Sequence, residues 1–203
     1  MTPAPPDDPS HPTGQHPYAQ LTPDQVLDAL GGVGLHGDGR LMGLSSYENR
    51  VYQAYLENDF SKYPIGREHA AGLYAFTALE NLSPRAAKGC VTGPLSWGMT
   101  VTDENKRAIL YHETLGDAVP RFLKLKAMWE ENELKKISKR TIIFVDEPYM
   151  ASYGSSVAAG ALSSPEKIVE MLDEVFDGIG GLKGIHCCGN TDWSILLKTK
   201  VDI

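Results

Sequence analysis

Three short apolar runs, each followed at once by a polar cluster, constrain this chain more than anything else in it. Lys88 to Thr92 leads into Gly-Pro-Leu-Ser-Trp-Gly, Thr141 to Val145 into Asp-Glu-Pro-Tyr-Met, and Leu182 to Ile185 into His-Cys-Cys-Gly-Asn-Thr-Asp-Trp. Each run has strand length and a β-branched or apolar character, and helical stretches lie between them. Strand, helix, strand, helix, strand is the order of parallel strands joined by right-handed crossovers. In that arrangement the polar clusters gather at the C-terminal ends of the strands, where catalytic groups collect in β/α barrels. Thr199 to Ile203 reads as the beginning of one more strand.

The third cluster has the most specific chemistry. With Leu182 to Ile185 extended, side chains alternate, so His186 and Cys188 project to one side and Cys187 to the other. His-x-Cys on one strand face is a two-ligand start for zinc, and a catalytic zinc needs three protein ligands with a fourth position open. The same triplet also reads as two buried cysteines acting as small hydrophobes beside a hydrogen-bonded histidine. Asp146-Glu147-Pro148 has two readings as well: a pair of carboxylates at a strand end, or a turn in which Pro148 simply stops the strand.

Composition excludes several function classes. A net charge of -7 disfavours nonspecific nucleic-acid binding, which depends on Lys and Arg neutralising phosphates. No apolar run approaches the roughly 18 residues of a membrane span, and the first residues lack a signal-peptide pattern. Three cysteines, two of them adjacent, make a poor disulfide framework and fit a reducing, cytoplasmic setting.

The remaining elements follow from local signals. Residues 1–17 hold six prolines and few apolar side chains, which predicts a disordered leader. Thr22-Pro23-Asp24-Gln25 is a helix start, Val26, Leu27, Leu30 and Val33 form its apolar stripe, and Gly31-Gly32 ends it. A hairpin is expected with Leu41 to Leu44 and Asn49 to Tyr55 as strands. Gly66 to Glu80 has helical spacing with Leu73, Phe76 and Leu79 facing a core. Thr102 is placed to cap a long helix that Pro120 should kink or divide before Phe122 to Ile137 continues. The Lys/Glu-rich end of that helix, Glu130 to Lys139, reads as a solvated face, and Cys90 as a core residue of its strand. Ser164-Pro165-Glu166 starts a helix with Ile168, Leu172, Val175, Phe176 and Ile179 on one face, and Asp192 to Leu197 a short one.

Two resemblances rest on these segments. Tyr18 to Gln53, and Ser-Tyr-Glu-Asn-Arg-Val-Tyr-Gln at 46–53 above all, resembles the opening of the bacterial stress response kinase A family, which implies the first strands of a kinase small lobe. After Gln53 there is no VAIK-like lysine, no HRD-like loop and no metal-binding aspartate in kinase context, so the chemistry of phosphoryl transfer is missing. From about Asp59 to Ile203, the segments KGCVTGPLSWGMTVTD, TIIFVDEPYMASYGS and GIHCCGNTDWSILLKTKVDI are similar to the superfamily joining uroporphyrinogen decarboxylases with the catalytic barrel of cobalamin-independent methionine synthase, in its methionine-synthase-like branch.

That second resemblance implies an α/β fold, a partial parallel β/α (TIM-type) barrel over residues 57–203, preceded by the leader and a helix-plus-hairpin, kinase-small-lobe-like segment at 18–56. It implies zinc held by His186 and Cys188, with a small-molecule thiol bound to the metal as thiolate and attacking a methyl donor. It also implies Asp146, with Glu147 beside it, binding the amine of an amino-acid substrate. The family's third zinc cysteine would lie beyond Ile203, and Cys90, His112 and Glu147 are the residues that could stand in for it. An eight-stranded barrel takes about 250 residues and about 145 follow the boundary, so the expectation is a chimeric or truncated barrel, inactive alone, self-associating through open edges and binding neither nucleic acid nor membrane. The rival readings are a uroporphyrinogen-decarboxylase-like enzyme, a kinase-related protein and a noncatalytic metal-binding module.

Overall fold

The alternation along the first strand sets up the whole arrangement. In Ala87–Thr92 (β1), Ala87, Gly89 and Val91 are buried while Lys88, Cys90 and Thr92 are exposed, so one face of the strand has a partner and the other does not. A computed structural model of the chain describes residues 58–103, 105–153 and 164–203, all within the compact unit Ser45–Ile203. The expected leader, the helix from Thr22, the hairpin and the whole kinase-like segment at 18–56 lie outside the described residues.

The described elements follow the expected order. After a short helix, Ala71–Thr77 (α1), come β1, Pro94–Thr100 (α2), Glu113–Leu134 (α3), Thr141–Asp146 (β2), Pro165–Phe176 (α4), Leu182–His186 (β3) and Trp193–Leu196 (α5). The three strands form a parallel sheet in sequential order β1-β2-β3, with Val91 opposite Val145 and Val145 opposite Ile185. Asp202 and Ile203 extend the ladder beyond β3: Ile185 donates its N–H to the Ile203 carbonyl (3.0 Å) and Ile203 donates to Lys183 (3.1 Å), a parallel pattern.

Both crossover helices pack on the same face. Val119, Leu123, Ala127 and Leu134 of α3, with Ile168, Leu172, Val175 and Phe176 of α4, form one core with Ala87, Val91, Ile143 and Val145 of the sheet. Fully burying each of these side chains stabilises the fold by roughly 1.5–3 kcal/mol for the larger ones. The opposite face carries Lys88, Cys90 and Thr92, then Ile142, Phe144 and Asp146, then Leu182, Gly184 and His186. No described element covers it. Phe144 lies over Gly184, where a Cβ would collide with the ring, and Lys88 Nζ sits 4.4 Å from the ring centroid. Among the described residues the sheet is open and does not close into a barrel.

Several local expectations are corrected. The first helix is Ala71–Thr77 rather than 66–80, and Phe76 (38 % exposed) and Leu79 (54 %) do not face a core. Leu73 does pack against the core as expected, and Tyr74 adds a contact, its ring 5.8 Å from Trp129 and its hydroxyl donating to the Ile65 carbonyl. Thr102 caps nothing; it forms an antiparallel bridge with Ala108, and α3 begins behind His112, whose Nδ1 accepts from the Leu115 N–H. Pro120 does not divide α3. It is buried together with Val119 and Leu123, and core packing on both sides of it holds one helix despite the missing donor. Glu130, Glu131 and Glu133 are not a solvated face but are buried, at 6 %, 3 % and 8 % exposure, and Cys90 is exposed rather than in the core.

Candidate functional site

The last residue of β2 and the last of β3 are Asp146 and His186, directly opposite each other in the register. Their placement follows from strand alternation: both point to the uncovered face, because Val145 and Ile185 beside them point to the helices. His186 Nδ1 lies 3.4 Å from Asp146 Oδ1, and both side chains are substantially exposed. An exposed imidazole this near a carboxylate can hydrogen-bond through Nδ1 and use its other nitrogen as a ligand or hydrogen-bonding group.

On β1, Thr92 stands opposite Asp146, and Cys90, opposite Phe144, is its diagonal neighbour on the same face. Although Cys90 is exposed overall, partial desolvation by its neighbours, then the negative charges of Asp146 and Glu130, push its thiol above the ordinary range, with Lys88 pulling the other way. The thiol is therefore kept protonated rather than activated. Past β3, Cys187 turns inward against the core with its thiol 3.5 Å from the Gly189 carbonyl, whereas Cys188 is exposed. His186 and Cys188 are both accessible, and Cys187 is the cysteine of the pair with the structural position.

Glu147 is placed differently from its neighbour. It is wholly buried, and its carboxylate accepts from the backbone N–H of Leu95 (2.8 Å), the N–H of Ser96 (2.9 Å) and the Ser96 hydroxyl (2.6 Å). It thus serves the first turn of α2, whose N-terminal N–H groups have no intrahelical acceptor. Ser96 Oγ in turn accepts from the Tyr149 N–H, so the clusters after β1 and β2 are tied into one structure. Burial pushes the Glu147 carboxyl up to about 7 against the opposing pull of Ser96 and Leu95.

Zinc fits this donor set only in part. His186 and Cys188 are accessible donors of the right type, but among the described residues no group of three His, Cys, Asp or Glu side chains comes together to hold a metal. None of the three stand-ins supplies the missing ligand. Cys90 lies on β1 with β2 between it and His186, His112 caps α3, and the Glu147 oxygens are committed to α2. The described residues do not by themselves fit a catalytic zinc.

Two side chains that matter here carry little signal in the sequence. Glu130 reaches from α3 to the free edge of β1 and accepts the Cys90 N–H at 3.1 Å, passing over Gly89, where a Cβ would collide with the carboxylate. Its other oxygen is buried without a partner. A glycine inside a strand is the one available hint of such a close approach. Ser96 is the second, visible only once Glu147 is seen to be its partner.

A scan against protein-family models and searches of curated proteins and of solved structures found no match to this chain. No described helix is long and apolar enough to cross a membrane.

Proposed function

We propose that the described unit is a sector of a β/α barrel of the cobalamin-independent methionine synthase type, with Asp146, His186 and Cys188 on its substrate-facing end, and that it does not transfer methyl groups with these residues alone. The supporting observation is the sequential parallel order β1-β2-β3 with α3 and α4 on the same face. A doubly wound sheet reverses strand order and places helices on both faces, whereas a barrel keeps the order and turns the bare face inward. Asp146 and His186 then stand at the C-terminal rim of that inner face.

In this reading each residue has a defined part. Asp146 offers a carboxylate to a substrate ammonium group and stands 3.4 Å from the His186 ring. His186 and Cys188 are two donors of an incomplete zinc set whose third member lies outside the described residues. Glu147 positions the two loops and touches no substrate itself. The acceptor is a small-molecule thiol, the setting is cytoplasmic, and neither nucleic acid nor membrane takes part.

The test is zinc content and affinity of the purified full chain beside His186→Ala and Cys188→Ser. We expect loose, chelator-removable zinc that both substitutions abolish, and no alkylation of added thiols. Zinc uptake indifferent to both substitutions would remove the methionine-synthase-like reading. Tight stoichiometric zinc would instead show that the chain supplies a third donor and would overturn the proposal that its own set is incomplete.

A further inference from the structure

The end of the sheet opposite Asp146 and His186 carries a cleft of about 980 Å³ at the N-terminal ends of β2 and β3. Five cations line it: Lys135 at the end of α3, and four others, Arg85 from the approach to β1, Lys139 and Arg140 from the turn before β2, and Lys183 from β3; Asp202 is the acid in the lining. Among the described residues none of the four forms a salt bridge, unlike Lys135 at the same rim, which is held by Glu131 at 2.9 Å. The two acids nearby, Asp202 and Glu131, hold hydrogen-bond partners of their own, and only Asp202 lies in the lining, where its charge offsets part of the cationic excess. Asp202 accepts the Lys183 backbone N–H, and Glu131 takes the N–H groups of Gly180 and Gly181 and the Thr141 hydroxyl as well as Lys135.

This concentration of positive charge is not a property of the whole molecule, whose formal net charge is -7. Like charges gathered in one concavity repel one another, and the field of a lined cleft is focused on what enters it. Ile142 and half-exposed Leu182 add an apolar wall, and the volume lies within the range of small-molecule sites. A local basic concavity in a chain of net charge -7 suits a compact anion better than a long nucleic acid.

We propose that this cleft binds a small organic polyanion, with two or more phosphate or carboxylate groups paired to Arg85, Lys139, Arg140 and Lys183. The cleft's lining residues Lys183 and Thr141 lie three and five residues before His186 and Asp146 on their strands, roughly 10–17 Å from that end. A ligand here would act as an effector or anchor rather than as the reacting substrate. Nothing in the assignment depends on zinc or on the barrel reading.

The test is calorimetric titration of the full chain with sodium tripolyphosphate and, separately, with citrate at low ionic strength. The variants are Lys139→Ala/Arg140→Ala and a charge-matched control, Lys167→Ala/Lys198→Ala, all at exposed positions. We expect a single site for at least one probe, weakened about tenfold or more in the cleft variant and changed less than about twofold in the control. Preference for tripolyphosphate assigns phosphate and preference for citrate assigns carboxylate; either supports the site. Equal weakening in both variants would reduce the effect to diffuse charge, and no binding of either probe would overturn the proposal.

Discussion

Glu147 and Ser96 are joined twice: one carboxylate oxygen of Glu147 accepts both the backbone N–H and the hydroxyl of Ser96, at 2.9 and 2.6 Å. The second oxygen takes the Leu95 N–H. One buried side chain after β2 thus completes the first turn of the helix after β1, and it fixes the height of the rim on which Asp146 sits. Stability and site geometry meet in this carboxylate.

Glu147→Gln is the direct probe of that link. The amide keeps one acceptor but turns an NH2 group toward an N–H donor of α2, leaving a buried donor unsatisfied. We expect a loss of about 1–3 kcal/mol in unfolding free energy, read by denaturant titration near neutral pH. Stability equal to the parent would mean that α2 does not depend on Glu147.

Gly93 supplies the space for the same carboxylate. Its backbone is extended (φ -75, ψ 161), so any residue could adopt its conformation, but a Cβ there would collide with the Glu147 side chain. Gly93→Ala should therefore destabilise by about 1–3 kcal/mol through overpacking, and the loss should shrink in a Glu147→Gly background. Additive effects in the double variant would separate the two positions.

The strands and their order could be read from the chain because each run is apolar and bounded by turn residues, and Asp146 and His186 were placed at strand ends for the same reason. The buried acids of α3 could not. Glu130 bonds the Cys90 N–H and Glu131 the N–H groups of Gly180 and Gly181, partners 40 to 50 residues away. Hydropathy assigns such a Lys/Glu run to solvent, since the acceptors that justify burial are long-range. Cys90 illustrates a different limit. Period-two alternation groups it with Lys88 and Thr92 and away from Ala87 and Val91, so the strand pattern places it on the uncovered face, and the general tendency of cysteine to be buried misleads here.

The neighbourhood of Cys90 makes its thiol a reporter of Asp146. Partial desolvation raises the thiol's pKa, and the Asp146 and Glu130 charges raise it further. Asp146→Asn removes one of those charges, so we expect faster alkylation of Cys90 at pH 8, by about threefold to tenfold, measured by peptide-resolved mass spectrometry to separate it from Cys187 and Cys188. An unchanged Cys90 rate would show that the two side chains do not sense each other in solution.

Glu130 should make the fold lose stability as pH rises. Burial lifts its carboxyl from 4.5 to about 7, opposed by the Cys90 N–H and Lys88. Between those values the folded chain holds a proton that the unfolded chain has released, so unfolding free energy falls with rising pH and levels off above about pH 7. The span corresponds to on the order of 3 kcal/mol for this group. Glu147 shifts in the same direction and adds its own decline, so the parent curve reflects both. Glu130→Gln keeps an acceptor for Cys90 and removes one titration: the variant should match the parent near pH 5 and exceed it at pH 8, with a shallower slope between. Parallel stability curves from pH 5 to pH 8 would show that the carboxylate at the edge of β1 ionises as freely folded as unfolded.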